Sequence, residues 1–137
     1  TKKTAQKFFS ILQENKIDVL IDIRLRPDSQ LAGFSKQEDL KYFLETLISC
    51  KYLYLPTLAP TAEILDGYHQ DKEWKQYEVA FQELMDRRNI PQVLDKTLFE
   101  EKNCCLLCSE PTPEKCHRRL VAERIAAHWN EFQIVHL

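Results

Sequence analysis

Between Cys104 and Arg119 the chain reads CCLLCSEPTPEKCHRR, the densest gathering of reactive side chains in the sequence. A short apolar run ends at Cys108, a polar and proline stretch follows, and a helix opens near Cys116, His117 and Arg118. A cysteine near a helix N-terminus, beside arginine and histidine, has the setting of a thiolate nucleophile. His117 titrates near neutrality and is the natural proton carrier, with Glu110 or Asp22 to orient it. Arg118 offers a guanidinium fork that suits phosphate or carboxylate oxygens. Against these stand plainer readings: Cys116 as a small buried helix residue, His117 as a bridge between backbone groups.

Spacing narrows the chemistry. Successive helix positions point about 100° apart, so Cys116 and His117 do not form an ion pair with each other. The cysteine–arginine spacing of the protein phosphatase loop lands on Glu114 from Cys108 and on Ala122 from Cys116, which excludes that loop. Cys108 and Cys116 flank the elbow and suggest either a redox pair or zinc. Zinc takes about four ligands, usually with close cysteine pairs, and this separation matches neither a ribbon nor a finger. Cys104, Cys105 and Cys108 alternate faces of a strand and do not all converge. Cysteines as small core hydrophobes are the favoured reading, and neither a metal nor a cofactor is expected.

A second cluster lies early. Asp22 sits inside an apolar run and must be paired or hydrogen-bonded; Arg24 or Arg118 is the expected partner. Arg24, Arg26, Lys36, Arg118 and Arg119 are candidates for an anion cluster, with ion pairs to Asp22, Asp28, Glu110 and Glu114 as the alternative. Tyr52, Tyr54, Tyr68, Trp74 and Tyr77 can stack on bases, but their spacing fits core packing better. His69, His128 and His136 are read as surface or element-end residues.

The elements that position these groups follow from periodicity. Ala5, Phe8, Phe9 and Leu12 mark an amphipathic helix. Ile17 to Ile23 is almost wholly apolar, like a parallel strand covered on both faces. Arg24 to Phe34 is a loop. Ser35 and Glu38 form a capping box before a helix striped by Leu40, Phe43, Leu44, Leu47 and Ile48. Tyr52 to Leu55 is a second strand, stopped by Pro56, and a long polar region containing Pro60, Gly67 and His69 follows. Trp74, Tyr77, Phe81, Leu84 and Arg88 share a helix face, and Pro91 opens a short helix running to about Glu101. Cys104 to Cys108 is a strand. Thr112 caps the next helix with Pro113 in its first turn and Glu114 facing the dipole; Leu120, Val121, Ile125 and Trp129 face the sheet. Phe132 to Leu137 is a last strand. Alternating strands and helices predict an α/β fold: an open, mostly parallel sheet with helices on both faces, in three α/β/α layers. All strands then end on one edge, where ligands bind in such folds. Arg24, Glu110, Cys116, His117 and Arg118 gather there.

Composition sets bounds. The 137 residues suit one domain spanning 1–137, with 44% hydrophobic and 29% charged residues. A net charge of −2 gives no polycation for nucleic acid, so nucleic-acid binding is not favoured. Gly33 and Gly67 alone cannot write a glycine-rich phosphate loop. No run is membrane-length, and TKKTAQKFF reads as helix, not leader. Five clustered cysteines, an odd number, point to reduced thiols in a cytoplasm.

At this point a resemblance enters. IDIR at residues 21–24, Pro27 with Ser29, GFSK at 33–36 and a Leu-rich helix resemble the start of the domain of unknown function 488 family. LLCSE-x-x-P-x-x-CHR, from Leu106 to Arg118, and the closing VHL resemble its end. The resemblance covers nearly the whole chain and places Asp22, Arg24, Pro27, Ser29, Phe34, Cys108, Glu110, Pro113, Cys116, His117 and Arg118 on signature positions. Members usually open with a strand ahead of the first helix, so a first strand is expected to be missing here. Two departures, Gln30 for an arginine and Leu58-Ala59-Pro60 for Leu-Gly-Gly, fall on the rim of the expected pocket. The resemblance implies a fold and a site but assigns no reaction.

The resulting expectation is a pocket for an anionic, phosphate- or nucleotide-like small molecule, with the reaction open. Asp22, Arg24, Ser29, Cys108 and Arg118 line it, and Cys116, His117 and Glu110 do any chemistry. The alternatives are a non-catalytic module binding nucleic acid or protein, and a redox-sensing domain using Cys108 and Cys116. The oligomeric state is left open.

Overall fold

The computed structural model describes residues 4–28, 33–108, 115–129 and 132–135. Three parallel strands, β1 (Val19–Asp22), β2 (Lys51–Tyr54) and β3 (Cys104–Leu107), form a sheet in the order β2-β1-β3. Among the described residues six helices accompany them: α1 (Ala5–Glu14), α2 (Gln37–Leu47), α3 (Ala62–Asp71), α4 (Trp74–Arg87), α5 (Lys96–Glu101) and α6 (His117–His128). The architecture is an open parallel sheet in a three-layer α/β/α sandwich.

Strand periodicity explains the layers. β1 is buried along its whole length because alternate side chains enter different cores. Val19, Ile21 and Ile23 pack with Phe81 and Met85 of α4 and Leu120, Val121 and Ile125 of α6. Leu20 packs with Phe8, Phe9 and Leu12 of α1 and Leu40 and Leu44 of α2. Being central, β1 carries its C-terminal residues to the middle of the sheet edge. Asp22 stands between Tyr54 of β2 and Leu107 of β3.

Several boundaries differ from the sequence expectation. β1 is shorter than Ile17–Ile23, and β2 starts one residue earlier than expected. α3 forms where a polar loop is expected; Ile64, Leu65 and Tyr68 lean on the core, but none of its residues is fully buried, so its stripe is faint. The Ser35–Glu38 capping box does not form. Lys36 is the N-cap residue of α2 and gives no side-chain cap, while the Asp28 carboxylate accepts from the Gln37 N–H at 3.2 Å instead. Pro91 follows a cis peptide bond and opens a turn; α5 starts only at Lys96, capped by Asp95. Residues 132–135 are not a strand. Phe132 instead packs its ring on Phe99 and Trp129. Thr112, Pro113 and residues 136–137 lie outside the described residues. Among the described residues no helix is long and apolar enough to cross a membrane.

Candidate functional site

Asp22 ends β1 and Arg24 lies just beyond it. The Arg24 Nε and Nη2 each donate to an Asp22 carboxylate oxygen at 2.8 Å, and the Arg24 backbone N–H adds a third bond at 3.2 Å. The Tyr52 hydroxyl donates to the same carboxylate at 2.6 Å. Both charged side chains are essentially without solvent exposure, at 0% for Asp22 and 1% for Arg24. Such a pair is tolerated in a core only when fork geometry and extra hydrogen bonds offset desolvation. Burial and the bond to Asp22 push the Tyr52 phenol well above its ordinary range. The Tyr54 hydroxyl donates to the Arg24 carbonyl at 3.1 Å. The expected Asp22–Arg24 pairing is present, and it occupies one edge of the arginine fork.

The tyrosine roles are not readable from spacing, which treats both rings as core. Their signal is register: β2 lies beside β1, so the hydroxyls of Tyr52 and Tyr54 reach Asp22 and the backbone just after β1.

The other expected cations are dispersed. Arg26 pairs with Asp66 of α3 at the surface. Arg119 pairs with Glu78 and Glu123 and lies over the Trp74 ring. Arg118 stands half-buried in the first turn of α6, where its charge is felt by both His117 and Cys105. Ser29 and Glu110 lie outside the described residues.

His117 is the first residue of α6 and is buried. Its Nε2 lies 2.8 Å from the Ile23 carbonyl oxygen. A carbonyl only accepts, so Nε2 carries the proton and Nδ1 keeps its lone pair. Burial, aided by Arg118, drives the imidazole down to about 4. His117 is therefore neutral at pH 7: a hydrogen-bond acceptor or ligand at Nδ1, and a poor acid. This bond also ties the start of α6 to the end of β1.

Cys108 directly follows β3, and Cys116 is the N-cap of α6. Both are buried, and they are joined as a disulfide. The Cys116 Sγ accepts from the Arg118 N–H at 3.3 Å. One ring nitrogen of His117 and the two sulfurs all lie within 4.8 Å of one another. Counting cysteines in sequence misses this trio, because its third member is a histidine. The remaining cysteines are different in kind. Burial pushes the thiols of Cys50, Cys104 and Cys105 up to about 11, and they are free.

The strand-end and helix-start residues thus converge: Asp22 at the end of β1 with Ile23 and Arg24 just after it, Tyr52 and Tyr54 from β2, Cys108 after β3, and Cys116 and His117 at the start of α6. The family model for the domain of unknown function DUF488 matches residues 4–125. The chain belongs to that family. No curated protein matches the chain, and no solved structure does. In this DUF488 chain the matched region contains the whole convergence, from β1 through the start of α6.

Proposed function

We propose that this DUF488 chain is a thiol-redox sensor whose switch is the Cys108–Cys116 pair, working as a single cytoplasmic domain. The observation that carries this reading is the disulfide itself, made between a strand end and a helix start. Oxidation state then sets how β3 is fastened to α6. Both sulfurs are buried, which favours a small oxidant, a hydroperoxide, over a bulky protein disulfide. Cys116 is the better attacking group. A backbone N–H and a helix N-terminus stabilise negative charge on its sulfur.

The chemistry balances simply. The Cys116 thiolate attacks the peroxide oxygen and becomes a sulfenic acid, releasing water once a proton is taken up. The Cys108 thiolate attacks that sulfur and expels hydroxide, which is protonated to a second water. Two thiols have lost two electrons and the peroxide has gained them. His117, neutral and fixed by Ile23, is too weak a base at about 4 to hold a thiol proton, so its lone pair serves as a hydrogen-bond acceptor and the thiol protons pass to water.

The test is to add hydrogen peroxide to the fully reduced chain. Two of its five thiols should disappear, a peptide linking Cys108 to Cys116 should appear by mass spectrometry, and C108S and C116S should each abolish it. Five thiols surviving at every peroxide dose would refute the sensor.

A second reading keeps the anionic ligand. Arg118 favours it: a half-buried cationic residue in the first turn of α6, whose charge acts on His117. Arg24 supports it less, its fork being engaged by Asp22. Its test is a thermal-shift screen of nucleotides and phosphorylated metabolites, in which a true ligand raises the melting point. The reading fails if none does, or if R118A leaves every shift intact.

A further inference from the structure

Cys108, Cys116 and His117 form a buried group of two sulfurs and an imidazole, with all ligating atoms within 4.8 Å of one another. We infer that, with the cysteines reduced, these three side chains bind one zinc ion. The inference uses the same site as the sensor reading and rests on it only in needing a dithiol state.

Four features support it. The first is donor type: thiolate sulfur and imidazole nitrogen are the zinc donors, and three protein ligands with a fourth position left over is a recognised zinc count. The second is the outer shell. Metal-bound histidines hand their other ring N–H to a carbonyl or carboxylate, which fixes tautomer and orientation. Here the Ile23 carbonyl accepts a hydrogen bond from the Nε2 N–H, at an N···O distance of 2.8 Å, and leaves the Nδ1 lone pair. The Arg118 N–H on the Cys116 sulfur at 3.3 Å is the matching support for a thiolate. The third is charge. Two thiolates and one divalent ion sum to zero, which removes most of the penalty of placing ions in a site this buried. The fourth is span. The two Cα atoms stand 7.4 Å apart, where disulfides usually have about 5.5–6 Å. An ion between two sulfurs, at about 2.3 Å from each, holds them farther apart than a covalent bond does and fits the longer span. The binding step releases two thiol protons, forms two metal–sulfur bonds and one metal–nitrogen bond, and displaces water from the ion, with no change of oxidation state. A peroxide that oxidises the pair would then expel the ion, coupling redox state to metal occupancy.

The experiment uses the full chain, reduced and stripped with a chelator under anaerobic conditions, and titrated with Co²⁺ as a spectroscopic stand-in for zinc. Expected are one equivalent bound, a thiolate-to-cobalt charge-transfer band, tetrahedral d–d absorption, and displacement by one equivalent of Zn²⁺. C108S, C116S and H117Q should each weaken binding by at least about 100-fold, since even outer-shell partners are worth about 10–100-fold; C104S should not. Circular dichroism on each variant separates loss of a ligand from loss of the fold. The wild type supplies a check that needs no variant: prior oxidation of the pair should abolish the cobalt spectrum. Absence of a charge-transfer band in the reduced wild type, or a band that survives C108S and C116S, overturns the inference. The two readings fail separately. A disulfide that forms with no cobalt bound removes the metal site and leaves the sensor. Cobalt bound with no disulfide formed under peroxide removes the sensor and leaves the metal site.

Discussion

Arg24 folds back on Asp22 at the end of β1, and the two make a bidentate ion pair withdrawn from water. The pair lies next to Ile23, whose carbonyl holds His117. A charge pair and the thiol–imidazole trio thus share one turn of backbone. Asp22 and Arg24, bonded to each other, flank the residue whose carbonyl orients the histidine.

The ion pair makes a prediction about asymmetry. D22N removes the charge and leaves Arg24 buried without a counter-ion, which should cost about 3–5 kcal/mol. Replacing the whole polar group with apolar residues, as D22L, R24M and Y52F together, should cost less than D22N alone, because no buried charge or hydroxyl is orphaned. Urea unfolding of the two proteins decides it. A triple variant less stable than D22N would show that the charges themselves hold the fold.

The Tyr52 hydroxyl donates to a buried carboxylate at 2.6 Å, while that of Tyr54 donates to a carbonyl nearer the surface. A bond to a charged group is worth about 1.5–3 kcal/mol and a neutral one about 0.5–1.5. Y52F should therefore lower the urea midpoint more than Y54F, with m unchanged in both. Equal shifts would mean that the bond to Asp22 carries no special weight.

These contrasts mark what was and was not readable from the chain. The run IDVLIDI reveals β1 because a strand buried on both faces is apolar except where, as at Asp22, a charge is paired. Phe8, Phe9 and Leu12 reveal α1, and Leu40 and Leu44 reveal α2, because each stripe meets a full core. α3 was hidden, since Ile64, Leu65 and Tyr68 are only half-covered and sit among polar residues. The edge holding Cys108, Cys116 and His117 follows from parallel topology, which sends every strand end the same way. What each residue does there is a matter of tenths of a nanometre. The His117 tautomer depends on Ile23, 94 positions away, and the phenol roles depend on strand register. Neither leaves a trace in residue type.

Thiol reactivity should divide the cysteines. Only the thiolate reacts with an alkylating agent, and Cys50, Cys104 and Cys105 are pushed by burial up to about 11. With the Cys108–Cys116 disulfide intact, iodoacetamide at pH 7 should label the folded chain very slowly. Labelling at Cys104 and Cys105 should rise about tenfold per pH unit below that value, following the thiolate fraction. Peptide mass spectrometry across a pH series reads each site. Rapid labelling of Cys104 or Cys105 at neutral pH would show that its surroundings are not the apolar ones described.

The disulfide form, which holds no ion at the trio, isolates the proton chemistry of His117. Its imidazole is lowered from 6.5 to about 4, first by burial and then by Arg118, against the opposing pull of the Ile23 carbonyl and Asp22. The unfolded chain therefore binds a proton that the folded chain refuses between about pH 6.5 and 4, and stability must rise with pH across that window. Put the other way, His117 costs nothing above pH 6.5. It destabilises increasingly as pH falls, by at most about 1.4 kcal/mol per unit and about 3 kcal/mol in all. Carboxylates titrate in the same acid range, so the wild-type curve alone does not isolate the histidine. The difference from H117Q does, because glutamine keeps an N–H for Ile23 and does not titrate. Urea unfolding at a series of pH values from 4 to 7.5 should show the wild type losing stability relative to H117Q as the pH drops. Parallel curves would mean that the ring takes up a proton as readily in the folded chain as in the unfolded one, and that burial does not hold it neutral.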